Sequence, residues 1–297
     1  MAFTTTKTIT NLQEKVIEPA RMTLKDDVLA IKDSFRVERG GPGMDDTYNS
    51  PKFPGVTAYG LTEGVDMVTE TLVDSNVAIS ATEVGVAVEV TNKNLRTVKR
   101  DDFLRKAGIA MGSAINVKQE QDFATLPDGF SLVVGLDGAS AVIGNLSAAL
   151  AQLSANPEPV NEAMMRDVSA VIHPYQWHDL RAQLAPMGSG DSHAPMAAQP
   201  ASVVDKVMKK FFPAGDYFGT PIKVSTNLVT SGANVRGGVW HKNAGLIYEF
   251  MPVHLEIDDS HKGLRAIGLY MVIDYGYGEI LDGHGREWDS DITSPTS

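Results

Sequence analysis

The sequence predicts an α+β fold with a protruding β-arm, and three observations carry that expectation. A Gly/Pro-rich stretch without period, 39–55, precedes β-branched runs between Val65 and Val90. One long amphipathic helix is written over 97–123. Strand and helix signals then alternate in a second block before strands return near the end.

Taken in order, residues 1–10 are Thr-rich and polar without period. Over 11–31, Leu12, Val16, Ile17, Leu24, Val28 and Leu29 recur at helical spacing, and Pro19 interrupts any single helix. A short helix or two is expected on an N-terminal arm that has no core of its own and so should pack on something else. A short strand is expected over 33–38. The 39–55 stretch holds four Gly and three Pro in 17 residues. It is expected to be irregular throughout, and so long a structureless segment in a compact chain is commonly a functional extended loop or disorder. Strands are expected over 67–73, 77–80 and 84–90, which makes the region a β-arm with edges that monomers normally blunt.

In 97–123, Phe103, Leu104, Ala107, Ala110, Met111, Ala114 and Ile115 repeat at three and four, with charged and amide residues opposite. Asp101 and Asp102 near its start suit the positive end of the helix dipole. Pro127-Asp-Gly129 closes this region, and a boundary is expected near 128. The second block opens with a strand from Val133 and an Ala/Leu-rich helix over 139–153, ended by Asn156-Pro-Glu-Pro159. A buried strand over 168–173 runs into a helix over 175–184, with Pro174 suited to its first turn. Residues 185–201 read as a second loop by composition. A helix over 202–211 and strands over 220–224, 234–240, 256–257 and 264–275 follow, before an acidic tail. There is no internal repeat and no heptad array.

Composition removes several function classes. The 297 residues are 43% hydrophobic and 21% charged, enough for a sizeable core and about two domains. With no cysteine, disulfides, thiol nucleophiles and Cys-based zinc sites are excluded. The most apolar run, Ile267 to Ile273, is far shorter than the roughly 20 residues of a membrane-spanning helix, and the N-terminal residues carry no secretory leader pattern. A net charge of −11 argues against tight phosphate binding.

The motifs of catalysis are missing as well. The seven histidines, among them His173 and His178, show no zinc-protease spacing. There is no P-loop and no Gly-x-Gly-x-x-Gly. Gly188-Ser-Gly-Asp-Ser192 lacks the strand-to-helix elbow of a catalytic serine. The pairs Asp45-Asp46, Asp101-Asp102 and Asp258-Asp259 read as solvated or capping. Lys52 has the chemistry for an intersubunit isopeptide or salt bridge, although most exposed lysines simply hold surface charge. An arm that cannot satisfy itself needs a partner, and identical arms with identical receptors close into rings and shells. The chain therefore reads as a self-assembling subunit rather than an enzyme.

The order of elements resembles that of the major capsid proteins of tailed bacteriophages, with the Hong Kong 97-type fold. The resemblance is carried by Leu61-Thr-Glu-Gly-Val65, by Val84-Gly-Val-Ala-Val-Glu-Val-Thr-Asn-Lys-Asn-Leu95 leading into Arg100-Asp-Asp-Phe-Leu-Arg-Lys-Ala-Gly108, by Val171-Ile-His-Pro-Tyr-Gln-Trp177, and by Gly237-Gly-Val-Trp240 through Gly268 to Gly276. It implies an N-terminal arm over 1–32, an extended E-loop with flanking strands over 33–85, and a P-domain over 86–128 with spine helix 97–123. An α/β A-domain would occupy 129–235, and strands over 236–297 would return to the P- and A-domain sheets and end in a C-terminal tail.

By the same resemblance the chain forms hexamers and pentamers of an icosahedral shell enclosing double-stranded DNA, without catalytic residue, cofactor or metal. Expected partners are further copies of itself, a separate scaffolding protein, a portal and a decoration protein, with no membrane; the expected location is the virion, after assembly in the host cytoplasm. Intersubunit contacts are expected from Tyr48, Lys52, Phe53, Glu63, Arg100 and Arg105. The alternatives are an encapsulin-like shell around cargo protein and, more distantly, a soluble α+β hydrolase using His173 or His178 with Asp179.

Overall fold

Valine at every second position from Val84 to Val90 lines one face of a strand with β-branched side chains, and that face needs a cover. In a computed structural model of the chain, the residues described are 15–20, 30–41, 43–52, 58–71, 75–91, 93, 100–155, 167–184, 216–217, 219–258 and 265–294. Its strands are β1 (Arg36–Arg39), β2 (Thr47–Lys52), β3 (Ser75–Ser80), β4 (Thr82–Thr91), β5 (Val133–Gly135), β6 (Val168–Ile172), β7 (Asp216–Tyr217), β8 (Thr220–Val224), β9 (Val229–Ser231), β10 (Asn234–His241), β11 (Gly245–Asp258), β12 (Ala266–Glu279) and β13 (Gly285–Asp291). Its labelled helices are α1 (Arg100–Phe123), α2 (Thr125–Asp128), α3 (Ile143–Ser154) and α4 (Pro174–Leu184).

The first sheet has the order β1-β11-β12-β4. Val84, Val86 and Val88 stand opposite Ile273, Met271 and Leu269 of antiparallel β12, so the two alternating patterns share a face. Helix α1 covers it. Its Leu104, Met111, Ile115 and Phe123 are buried with Leu255, Leu269, Met271, Ile273 and Tyr275, each contributing about 1.5–3 kcal/mol of burial. The helical residues 15–20 pack against α1 within the same core. A Cβ on Gly108 would sit 2.3 Å from the Val16 carbonyl oxygen, and one on Gly112 3.0 Å from that of Ala20. Two glycines one turn apart thus let the segment touch the α1 backbone, with Val16 and Ala20 fully buried.

The second sheet runs β5-β13-β10-β6-β8-β7, with β9 paired to β10. Helices α3 and α4 cover one face, where Leu146, Leu150, Leu153 and Leu180 pack on Ala170, Ile172, Val239 and Trp288. His173 starts α4 by accepting the Tyr175 N–H on Nδ1 at 3.2 Å, the usual role of an N-cap side chain. A two-stranded ribbon, β2 with antiparallel β3, stands apart from both sheets.

Four expectations change. The 39–55 stretch is not irregular throughout, because Thr47–Lys52 is β2; Pro51 is tolerated there because a two-stranded ribbon leaves each strand one open edge. The strand expected over 67–73 is absent among its described residues, 67–71, which have no regular structure and no ladder partner; Met67 and Val68 stay exposed. The acidic tail is instead strand β13, buried at six of seven positions. The strand expected over 256–257 is the end of the 14-residue β11. The loop over 185–201 and the helix over 202–211 lie outside the described residues.

Candidate functional site

Exposed large apolar side chains at Tyr59, Leu61, Val65, Met67 and Val68 lie between β2 and β3, and the root of that ribbon explains how the segment is presented. Ala81 N–H donates to the Asp46 carbonyl at 2.9 Å, closing the ribbon base, and Gly40 N–H donates to the Glu249 carbonyl at 2.8 Å. Tyr248 on β11 donates its hydroxyl to the Asp45 carbonyl at 2.9 Å and lies 5.4 Å from the Tyr48 ring. Ile79 is buried against Leu246 and Tyr248. Arg39 and Lys32 both pair with Glu249. The root is therefore held on β11 by apolar contact, hydrogen bonds and charge together.

Beyond the root, polar cross-strand pairs keep the ribbon in register. Asn76 donates to Asn49 Oδ1 at 2.8 Å, and the hydroxyls of Thr47 and Ser80 share a 2.9 Å bond. Between the strands, 58–71 has no regular structure, and Tyr59 donates its hydroxyl to Glu70 at 2.6 Å across it. Leu61 is 71% exposed and Val65 67%, with Met44, Met67 and Val68 also open. Exposed apolar clusters of this kind mark interaction surfaces.

Of the residues expected at contacts, Tyr48 and Lys52 fall on the same ribbon strand. Tyr48 is half-buried at the root. Lys52 lies close enough to Glu279, at the end of β12, for its charge to oppose the rise in that carboxyl's pKa. Glu63 is exposed in the 58–71 segment, and Arg105 is exposed on α1. Arg100 is the first residue of α1. Phe53 lies outside the described residues. Glu63 thus sits between the ribbon strands and Arg105 on the helix.

The structure also gathers residues that no motif pointed to. Arg236 on β10 pairs with Asp128 of α2 and lies 3.4 Å from Glu287 of β13. Asp289, two residues further along β13, stands opposite Arg236, and burial first pushes its carboxyl up to about 6. The one sequence clue was the alternation Glu287, Trp288, Asp289, which sends acids and Trp288 to opposite faces of a strand. Burial lowers the pKa of His173, the capping residue. His178 lies 3.7 Å from Asp179, with both side chains partly exposed. Among the described residues no group of three or more His, Asp or Glu could hold a metal ion, and no helix is long and apolar enough to cross a membrane.

No protein-family profile matches the sequence, and no curated protein matches it. Solved structures do. The capsid of Ralstonia phage GP4 superposes with a TM-score of 0.67 at 13% identity, covering 89% of this chain and 88% of that one. The acid-stable capsid of Helicobacter pylori bacteriophage KHP30 gives 0.65 at 11% identity, covering 86% and 88%. The capsid of a native GTA particle gives 0.62 at 12% identity, covering 89% and 90%. The class defined here is thus an arm-bearing α+β fold with mixed sheets. More particularly, it is the fold of phage capsid proteins, shared over most of both chains.

Proposed function

We propose that the chain is the major capsid protein of a bacteriophage head with the Hong Kong 97-type fold. It self-assembles into hexamers and pentamers of an icosahedral shell that encloses double-stranded DNA, a structural rather than catalytic role. The observation that carries this reading is the rooted ribbon with its open apolar 58–71 segment, on a fold matched along most of its length by phage capsids. A subunit that fixes an arm firmly at one end and leaves the other end apolar is built to lay it on a neighbour.

In these terms 1–32 is the N-terminal arm and 33–85 the E-loop region. The P-domain spans 86–128, the A-domain 129–235, and the strands over 236–297 return to both sheets. Tyr48, Lys52, Phe53, Glu63, Arg100 and Arg105 are the proposed intersubunit positions. Scaffolding, portal and decoration proteins are the proposed partners, and the virion, after assembly in the host cytoplasm, the proposed location. A net charge of −11 suits a wall that encloses DNA without gripping it. Negative-stain electron microscopy of the protein, expressed alone and with its neighbouring genes, tests the reading. Closed shells or capsomers are expected, and DNA rather than protein cargo inside them separates a phage head from an encapsulin. A strict monomer under every condition overturns it.

A further inference from the structure

The first sheet has two faces, and α1 covers one of them. Along β4, Val84, Val86 and Val88 pack into the core that α1 completes, while Glu83, Gly85, Ala87 and Glu89 alternate with them and are all exposed on the opposite side. Register fixes what stands beside them. On β12, Asp274 is opposite Glu83, Tyr270 opposite Ala87 and Gly268 opposite Glu89; on β11, Glu256 is opposite Tyr270. His254 lies 3.7 Å from Glu256. This face is therefore acidic, and β4, β11 and β12 contain not one lysine or arginine to balance it. Like charges directly opposite on neighbouring strands destabilise a sheet, and Glu83 with Asp274 is such a pair. Asp274 Oδ1 is also buried without a hydrogen-bond partner among the described residues. The lone subunit thus carries a repulsion that its own sheet does not offset.

The complement is written in the same chain. Although the net charge is −11, Lys93, Arg96, Lys99, Arg100, Arg105 and Lys106 set six cations against two acids within 93–106. Arg105 and Lys106 are exposed on α1. Helix α1 lies across the sheet from the acidic face, with Leu104 buried in the core between them, so within one subunit the sheet itself stands between the two charges. We propose that the uncovered face of β4, β11 and β12 is the docking surface for the basic 93–106 stretch of a second copy. Two different surfaces of one chain then meet head to tail, the kind of contact that closes rings. Each exposed ion pair is weak, but the contact recurs at every subunit of an assembly. The inference rests on the capsid reading and names the face that Arg105 meets.

The test is charge exchange in the full chain, read as the fraction of protein sedimenting as capsomers or shells. Glu83→Lys with Glu89→Lys should lower that fraction by about tenfold at equal concentration, and Arg105→Glu with Lys106→Glu should do the same. All four substitutions in one chain make the surfaces complementary again and should recover most of the loss. The face variant should keep a thermal midpoint no lower than that of the natural chain, because a lysine opposite Asp274 attracts where Glu83 repels. A natural yield from either double variant overturns the proposal, and so does a loss that the fourfold variant does not recover, which would give the face to another partner. Should a reversed variant not fold, Glu83→Gln with Glu89→Gln and Arg105→Gln with Lys106→Gln decide: a lower yield from both supports the contact, and an unchanged one refutes it. A natural chain that stays monomeric overturns the capsid reading itself, an outcome distinct from assembly that ignores these charges.

Discussion

Gly108 poses a contest between two effects of known size. In an exposed helix, replacing glycine by alanine stabilises by about 1 kcal/mol. Here the new methyl would lie 2.3 Å from a backbone oxygen that cannot swing aside, and overpacking of that kind costs about 1–3 kcal/mol. Gly108→Ala should therefore lower the unfolding free energy in denaturant titration. A gain near 1 kcal/mol would mean that the 15–20 segment does not rest on α1. Lys52 makes a second prediction at this scale. Glu279 is pushed up to about 7 by burial and by Asp282, and the Lys52 charge opposes that rise. Lys52→Met should raise the Glu279 pKa further. Glu279 costs stability as pH climbs from its ordinary 4.5 toward its folded value, so this window should extend upward in pH; an unmoved Glu279 resonance refutes the pairing.

Elements follow sequence where a pattern finds a partner and depart from it where none is available. The 84–90 alternation and the 97–123 periodicity were legible because β12 and α1 complete each other's burial within the chain. The 67–73 run has the same β-branched content, yet its described part is no strand, because no neighbour offers it a ladder and its apolar side chains face outward. Strand β13 failed in the opposite direction. Arg286, Glu287 and Asp289 read as solvent-facing, and only the pairing with β5 on one side and β10 on the other buries them. The Arg236–Asp128 pair was illegible for the same reason, since α2 and β10 meet only after the sheet forms. The ribbon, by contrast, was foreseeable from the Gly/Pro-rich flank, though not its β2 strand. Because Tyr48 and Asp45 belong to the root, a deletion that tests the arm should spare them. Replacing 58–71 by a short Gly/Ser link should leave the circular dichroism spectrum and thermal midpoint of the subunit unchanged and abolish closed shells. Normal particles from that variant would remove the arm from assembly.

At the scale of the whole molecule, two sheets share one chain by interleaving it. The first sheet takes β1, β4, β11 and β12; the second takes β5 to β10 and then β13. Neither is finished until late in the sequence. Strand β13 lies between β5 and β10, and its Trp288 fills the core under α3. A chain cut after His284 should lose cooperative unfolding and expose surface that binds hydrophobic dyes, because β5 loses its only strand partner among the described residues. A cooperative transition of natural height would show that β13 is dispensable. The same placement sets a clock on biosynthesis. By the time β13 begins at Gly285, β5, which ends at Gly135, has waited 150 residues for its strand partner. The second sheet can close only once β13 clears the exit tunnel. Subunits in mid-translation therefore carry the ribbon before the second sheet is finished, so chain order itself delays a complete body until the last strand is made.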